Sequence, residues 1–223
     1  MNFEMTLADR LQKLKKSLPA YVTLVAVSKT KPVSDLMEAY KAGQRVFGEN
    51  KVQEMVGKFN ELPKDIKWHM IGNLQRNKVK YMASFVHLIH GVDSLKLLKE
   101  INKQAQKNER VIECLLQIKI ACESTKSGMS SKEAENLLKS DDFKALKNIK
   151  ITGVMGMASF TEDKIQISKE FKNLKLAFET LKELQKNMGV ISMGMSGDYP
   201  LAIECGSNMI RVGSLIFGNR QYI

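Results

Sequence analysis

The sequence predicts an α/β protein, a single (β/α)8 barrel (TIM barrel) with one extra helix at its N-terminus. Eight short apolar runs alternate with segments of helical periodicity, which is the pattern of parallel strands connected by helices. The length of 223 residues suits one such barrel. No linker or internal repeat divides the chain, so residues 1–223 are expected to form one domain. The alternative is an open doubly wound sheet, which shares the local pattern and differs in strand order.

The predicted strands are short apolar segments, most of them followed by glycine or polar residues. The first, Val22–Val27, is an almost uninterrupted apolar run, typical of a strand buried on both faces. In the third, His69 and Ile71 alternate with two bulky apolar residues, so His69 is expected to point into the barrel, as a core residue or towards a ligand. The predicted strands are Val22–Val27, Arg45–Phe47, Lys67–Ile71, Val86–His90, Val111–Ile120, Lys150–Met155, Val190–Met195 and Met209–Val212.

Helical periodicity fills the segments between these strands. The opening segment, about Leu7 to Leu18, is amphipathic and precedes the first strand, so it predicts the extra helix. Pro32 fits an early helical position after the first strand, where its missing N–H costs little. The other predicted helices are Val33–Ala42, Val52–Leu62, Asn77–Met82, Ser94–Gln106, Lys132–Leu138, Ile165–Lys186 and Leu201–Glu204.

The formal net charge of +11 comes mostly from lysines spread along the predicted helices. Dispersed charge of this kind predicts solvated helix faces. A nucleic-acid-binding surface would cluster basic residues and interleave aromatics, which make up only 7% of the chain, so no nucleic-acid partner is expected. The positive field would still favour small anionic ligands.

Composition also indicates the compartment. No window is long and apolar enough for a membrane span, and Met1–Met5 lacks the features of a secretion signal. The three cysteines share no metal-ligand spacing. Two histidines, His87 and His90, lie three apart on a predicted strand and are expected to face opposite sides. We therefore expect a cytoplasmic protein with reduced, buried thiols, no membrane contact and no metal.

A lysine stands at the end of the first apolar run. In Leu24–Pro32, Lys29 lies two residues after the predicted strand, and functional groups of a (β/α)8 barrel collect at such strand ends. Burial removes the hydration of an ammonium ion and so favours the neutral, nucleophilic amine. Lys31, the competing amine, is expected to be a solvated cation at the entry to the next helix.

Hydroxyl groups and glycines gather around the last two predicted strands. Serine hydroxyls donate hydrogen bonds, and glycines let backbone N–H groups approach an anion closely. Arg211 adds a fixed cation. A phosphate cradle beside a nucleophilic amine fits pyridoxal 5'-phosphate (PLP), whose aldehyde forms a Schiff base with lysine. The residues of this predicted cradle are Ser196, Gly197, Gly206, Ser207, Gly213 and Ser214.

The chain also resembles a known family over essentially its whole length. The matching stretches are Leu24–Pro32, Phe47–Asn50 with Gln53–Glu54, Trp68–Lys78, Lys126–Gly128, Gly153–Met157, Met193–Asp198 and Arg211–Arg220. Their order and spacing resemble those of the pyridoxal phosphate homeostasis protein family, formerly described as proline synthetase co-transcribed homologues. That family has the barrel of the alanine racemase N-terminal domain, so the resemblance implies the same fold.

The resemblance implies roles for individual residues. It implies that Lys29 carries PLP as a Schiff base and that Arg211 faces the pyridine nitrogen. The family usually has threonine where this chain has Asn208, which offers an amide in place of a hydroxyl. The implied phosphate contacts are Ser196, Ser207, Asn208, Gly213 and Ser214, and the implied residues near the ring are Asn50 and His69.

Two functions compete. One is a PLP-binding protein of intracellular PLP homeostasis without substantial catalysis, and the alternative is a PLP-dependent amino acid racemase. An arginine at the pyridine nitrogen disfavours its protonation, which weakens the cofactor as an electron sink. Racemases of this fold use a further domain, and this sequence ends at Ile223 after the eighth predicted unit. We therefore expect a monomeric carrier of PLP, with PLP-dependent apo-enzymes as possible partners.

Overall fold

Eight parallel strands form a closed barrel in the computed structural model, which describes residues 5–123 and 127–218. Each strand pairs with the next along the chain, and β8 pairs with β1. The predicted barrel is confirmed, and closure excludes the open doubly wound sheet. The strands are β1 Thr23–Val27, β2 Val46–Glu49, β3 Lys67–Met70, β4 Leu88–Val92, β5 Ile112–Gln117, β6 Ile149–Met155, β7 Val190–Ser192 and β8 Met209–Val212.

Helices cover the outside of the barrel. The first is the predicted extra helix: the hydroxyl of Thr6 accepts the N–H of Asp9, and the Asp9 carboxylate accepts the N–H of Thr6. It is tied to the last helix by a hydrogen bond of 2.9 Å from Arg10 Nε to the carbonyl of Ile216. The helices are α1 Leu7–Ser17, α2 Val33–Lys41, α3 Val52–Glu61, α4 Leu95–Lys107, α5 Ser131–Lys139, α6 Asp141–Lys144, α7 Lys164–Leu184, α8 Tyr199–Glu204 and α9 Ser214–Phe217, with a 3₁₀ helix at Arg76–Tyr81.

The differences from the predicted elements have local causes. β7 ends at Ser192, not Met195, because Gly194 adopts φ +95° and turns the chain into α8. The predicted helix Asn77–Met82 is a 3₁₀ helix, the form that short connecting segments often take. Neither α6 nor α9 was expected, because four residues are too few to show helical periodicity.

Two layers of apolar side chains hold the barrel together. The larger lies between the strands and the helices and includes the fully buried Phe47, Trp68 and Phe171. The smaller fills the barrel interior, where Val25 and Leu88 belong to one cluster with apolar residues of β5, β6 and β8. Strands covered on both faces explain the near-continuous apolar runs in the sequence.

The cysteines correct one expectation. Cys114 is buried, but Cys122 is exposed and Cys205 is half-buried, so the expectation of buried thiols is wrong for two of the three.

None of the helices within residues 5–123 and 127–218 is long and apolar enough to cross a membrane. Several residues of the sequence arguments lie outside the described residues: Met1–Glu4, Lys126, Asn219, Arg220 and Ile223.

Two glycine substitutions test the packing of the barrel wall. At Gly153 in β6, an added Cβ would lie 1.9 Å from the carbonyl oxygen of Val190 in β7. We expect Gly153→Ala to lower the free energy of unfolding by about 3 kcal/mol or more, because the two strands must separate. In α3, a Cβ at Gly57 would meet nothing within 4 Å. We expect Gly57→Ala to raise the free energy of unfolding by about 0.5–1 kcal/mol. Urea unfolding followed by circular dichroism measures both, and equal midpoints for the two variants would contradict this packing.

Candidate functional site

A cavity of about 630 Å³ lies where the strands end. Its volume is typical of small-molecule sites, and its walls come from the ends of six strands, β1, β2, β3, β6, β7 and β8, and the segments that follow them. Its apolar lining includes Ile71, Met157 and Met195, which the sequence arguments did not predict as site residues. Six of the nine predicted site residues line the cavity: Lys29, Asn50, Ser196, Arg211, Gly213 and Ser214.

Barrel closure brings Lys29 and Arg211 to the same cavity. In the β1–β8 pairing, Val25 lies opposite Arg211 and Ala26 opposite Val212. Lys29 lies two residues after the end of β1 and is half-buried. Two cationic side chains from opposite ends of the chain therefore line one space.

Lys31 lies just before α2, at the entry to that helix, and it also lines the cavity. It is half-buried, and its Nζ donates a hydrogen bond of 2.9 Å to the carbonyl oxygen of Phe217. Phe217 is the last residue of α9, where carbonyl groups lack intrahelical donors. The same closure of the barrel that joins β1 to β8 supplies this acceptor.

The loops after β7 and β8 meet at one side of the cavity. The N–H of Gly213 donates a hydrogen bond of 3.3 Å to Oγ of Ser196, and Ser214 begins α9. An added Cβ at Gly213 would lie 3.1 Å from the carbonyl oxygen of Val27, so this close approach favours glycine. Asp198 holds the first loop, since its Oδ1 accepts the N–H of Met195 at 2.5 Å. Hydroxyl and amide donors thus converge where an anion could bind.

Asn50 is positioned through its backbone. A Cβ at Gly72 would lie 2.4 Å from the carbonyl oxygen of Asn50, so only glycine allows the segment after β3 to pack this closely. The close packing fixes the backbone of Asn50, which lines the cavity.

Arg211 is buried, and its guanidinium is held in place by backbone and side-chain oxygens. One terminal nitrogen (Nη1) donates to the carbonyl of Ser192 at 2.9 Å and to its hydroxyl at 2.7 Å. The other (Nη2) donates to the carbonyl of Gly156 at 3.0 Å. Burial lowers the pKa of Arg211 to about 10, against the opposing charge of Asp198. The side chain therefore stays cationic at neutral pH.

A chain of hydrogen bonds runs from Arg211 through the barrel interior. Ser192 Oγ lies 3.1 Å from Nδ1 of His90, and Nε2 of His90 lies 3.0 Å from Nδ1 of His69. Arginine can only donate, so Ser192 Oγ accepts from Arg211, and a serine hydroxyl can at the same time donate its proton to Nδ1 of His90. With the Ser192 proton in that bond, His90 carries its own proton on Nε2 and donates it to His69.

The histidines of this chain are neutral. Burial lowers the pKa of His69 to about 3 and lowers the pKa of His90 well below its ordinary value. His69 does point into the barrel, but it does not line the cavity. The ring of His69 lies 5.1 Å from that of His90 and 5.5 Å from that of His87. His87 precedes β4, so strand alternation does not separate it from His90.

Ser207 and Asn208 are placed away from the cavity. Both precede β8, so they lie at the opposite end of that strand from Gly213. The buried hydroxyl of Ser207 lies within hydrogen-bond distance of three carbonyls, the shortest being 2.7 Å to Met193. The Asn208 side chain accepts the N–H of Ile191 and donates to the carbonyl of Gly189. These polar groups tie β7 to β8 and are not available to an anion in the cavity.

Comparisons with known proteins agree with this architecture. A family model described as the alanine racemase N-terminal domain matches residues 5–221. The pyridoxal phosphate homeostasis protein of Aquifex aeolicus (strain VF5) is 40% identical over 205 residues, which covers 89% of this chain and 87% of that protein. The protein of the same name from Vibrio alginolyticus is 38% identical over 209 residues, covering 92% and 89%.

Solved structures also match the fold of this chain. The structure of PipY from Synechococcus elongatus PCC7942 with PLP bound matches with a TM-score of 0.88 and 34% identity, covering 96% of this chain and 100% of that one. An alanine racemase of Clostridium difficile 630 matches with a TM-score of 0.79 over 97% of this chain and 56% of its own. At 16% identity, the second match shows the fold alone.

The fold and the cavity thus define a small-molecule-binding barrel of the alanine racemase N-terminal type. Within this class, the chain belongs to the pyridoxal phosphate homeostasis protein family.

The buried neutral histidines predict a pH-dependent stability. The pKa of His69 is about 3 in the folded protein and 6.5 ordinarily. Between these values the unfolded chain binds the proton and the folded chain does not. The free energy of unfolding therefore falls as pH falls below 6.5, by at most about 1.4 kcal/mol per pH unit from this group. We expect His69→Asn, which keeps an acceptor for His90, to reduce this slope in urea unfolding at about pH 7 and about pH 5.

The exposed His87 supplies the matched control for this experiment. Burial lowers the pKa of His87 too, but the large shift is that of His69, so His87→Asn should retain most of the wild-type slope. A His69→Asn slope equal to the wild-type slope would contradict a neutral, buried His69.

Proposed function

We propose that the chain binds PLP, holds it as a Schiff base on Lys29 and acts in intracellular PLP homeostasis without substantial catalysis. The observation that carries the proposal is that Lys29, Arg211 and the donors around Gly213 line one cavity of about 630 Å³. The names of the relatives and the PLP-bound PipY structure support it.

The cavity residues fit the chemical groups of this cofactor. PLP supplies an aldehyde, whose carbon forms a C=N bond with a primary amine while its oxygen leaves as water. Lys29 supplies the amine. Ser196, the N–H of Gly213 and the start of α9 at Ser214 would bind the phosphate, because they converge at one side of the cavity. Ser207 and Asn208 have no part in this proposed site.

The other residues that line the cavity suit the pyridine ring of PLP. Apolar side chains such as Ile71 and Met157 exclude water from part of the cavity, and Asn50 offers a polar group beside them. We propose that Arg211 faces the pyridine nitrogen. His69 supports Arg211 through the hydrogen-bonded chain and does not contact the ring.

The fixed guanidinium of Arg211 supports a holding function over a racemase. A cation beside the pyridine nitrogen opposes protonation there, and an unprotonated ring withdraws electrons poorly. Since both terminal nitrogens of Arg211 are held by oxygens, the cation is not free to move aside. The racemase remains the second candidate because the barrel is shared with alanine racemases.

The cellular setting is part of the proposal. Free cysteines, one of them exposed, fit a reducing compartment, so we propose a cytoplasmic protein. We further propose that residues 1–223 form a single domain, that the protein is a monomer and that PLP-dependent apo-enzymes receive the cofactor.

Borohydride reduction tests the Schiff base. The protein loaded with PLP should absorb in the visible range, and reduction followed by peptide mapping should place the pyridoxyl group on Lys29. Lys29→Ala should abolish the absorption band with little change in urea midpoint, because the side chain lies in the cavity wall and not in the core. Lys31→Ala is the matched control, since Lys31 is a half-buried amine in the same cavity. Labelling of Lys31, or of no lysine, would contradict the assignment.

An assay with enantiopure amino acids separates the two functions. We expect the PLP-loaded protein to leave L-alanine and other L-amino acids without substantial racemisation, measured by chiral chromatography. Conversion at ordinary enzymatic rates, lost in Lys29→Ala, would establish the racemase instead.

A further inference from the structure

Three side chains of β2 and α3 contact the segment that carries Lys29. They are Glu49 at the end of β2 and Glu54 and Lys58 in α3, and we name them the lysine clamp. Lys58 Nζ lies 2.8 Å from Glu49 Oε1 and 2.7 Å from Glu54 Oε1. Lys58 can contact both carboxylates because the side chains of a helix point back towards its N-terminus, and Glu54 and Glu49 precede Lys58 in the chain.

The lysine clamp binds both peptide groups that flank Lys29. Lys58 Nζ donates at 2.8 Å to the carbonyl of Ser28, which belongs to the peptide group before Lys29. The N–H of Thr30, in the peptide group after Lys29, donates at 2.5 Å to Glu54 Oε1. With both peptide groups fixed, the direction of the Cα–Cβ bond of Lys29 is fixed as well.

The segment would not adopt this conformation unaided. Thr30 has φ +65°, a left-handed conformation that is unfavourable for a β-branched residue. A turn hydrogen bond of 3.0 Å from the N–H of Lys31 to the carbonyl of Ser28, together with the bond from the Thr30 N–H to Glu54, holds it there. The Ser28 hydroxyl is fixed in addition, because it donates at 2.6 Å to Glu49 Oε1.

The clamp is built from groups that are costly to bury. Lys58 is 5% exposed and Glu49 is fully buried. Burial raises the pKa of Glu49 in spite of the neighbouring Lys58, and Glu49 Oε2 has no hydrogen-bond partner in the described part of the chain. Buried ion pairs add little to stability compared with apolar packing, so a role in positioning accounts for them better.

We propose that Glu54 and Lys58 are positioning residues, which hold Lys29 in the orientation needed to bond the aldehyde of PLP. The inference rests on the proposed function and deepens it. The clamp residues do not themselves line the cavity. Their loss should therefore weaken the bond to Lys29 and leave the non-covalent contacts with phosphate and ring intact.

Two ligands separate these effects. PLP can bond Lys29, whereas pyridoxine phosphate carries an alcohol in place of the aldehyde and can bind only non-covalently. We expect Glu54→Ala to weaken PLP binding about tenfold and to slow borohydride labelling of Lys29, while pyridoxine phosphate binding changes by less than about twofold. Equilibrium titration by absorbance and fluorescence measures both affinities.

Matched variants complete the experiment. Glu54→Gln keeps an acceptor for the N–H of Thr30 and should restore most of the PLP affinity. Glu61→Ala removes an exposed glutamate from the same helix and should match the wild type. Lys58→Met should reproduce Glu54→Ala. If Lys58→Met fails to fold, the Glu54 pair still decides, because the Glu54 side chain is 24% exposed.

Each outcome of these titrations has a single interpretation. Equal weakening of PLP and pyridoxine phosphate would mean that the clamp only shapes the cavity, and unchanged PLP affinity would mean that Lys29 needs no clamp. Either result overturns the inference about the clamp. The proposed function would still stand as long as borohydride labels Lys29 in the wild-type protein. A wild type that borohydride does not label at Lys29 would overturn both.

Discussion

The pairing of β1 with β8 is the constraint on which the cavity depends. Four residues of β1, Thr23 to Ala26, lie opposite four of β8, and this register sets Val25 beside Arg211. Lys29 and Lys31 come from the first unit of the barrel, and Ser196, Gly213 and the carbonyl of Phe217 come from the last two. Without closure, these groups would lie at opposite edges of a sheet. A cavity with an amine on one wall and anion donors on the other therefore exists only in the closed barrel.

Two buried polar systems surround this cavity, and they differ in charge. Inside the barrel, one cation, Arg211, is hydrogen-bonded to a serine and two neutral histidines. Outside the strands, the lysine clamp places one ammonium ion between two carboxylates. Low dielectric makes both arrangements sensitive to loss of a single member, since an unpaired buried polar group is more costly than an absent one. The histidine chain ends on Arg211, which lines the cavity. The lysine clamp binds the two peptide groups that flank Lys29, which also lines the cavity.

The sequence predicts the barrel because strand and helix patterns are local properties. The number of apolar runs, eight, favours the barrel, the lysine after the first run can be placed at a strand end, and the structure shows the closure that excludes an open sheet. It is harder to assign from the sequence whether a polar turn lies at the beginning or at the end of a strand. Ser207 and Asn208 are close in sequence to Gly213, but β8 separates them, so they lie at the opposite end of that strand.

Other parts of the site have no local signature. Lys58 looks like any lysine of a solvated helix face until α3 packs on β2 and buries it. Ser192 and His90 come from strands distant in the chain, and their hydrogen bond exists only across the closed interior. The half-buried position of Lys31 depends on a carbonyl of α9, a helix too short to be recognised from periodicity. These positions depend on tertiary packing, which the local sequence pattern does not show.

The neutral histidines also bear on the proposed absence of catalysis. A proton on His90 would add a positive charge next to Ser192 and so oppose the charge of Arg211. With both histidines neutral, the hydrogen-bonded chain adds no such repulsion, and Arg211 keeps its charge at neutral pH, with a pKa of about 10. Two carbonyl oxygens, of Ser192 and Gly156, also fix the guanidinium through the backbone, which does not titrate. A cation fixed in this way would oppose protonation of a pyridine nitrogen over a wide pH range, and this favours holding the cofactor over carbanion chemistry.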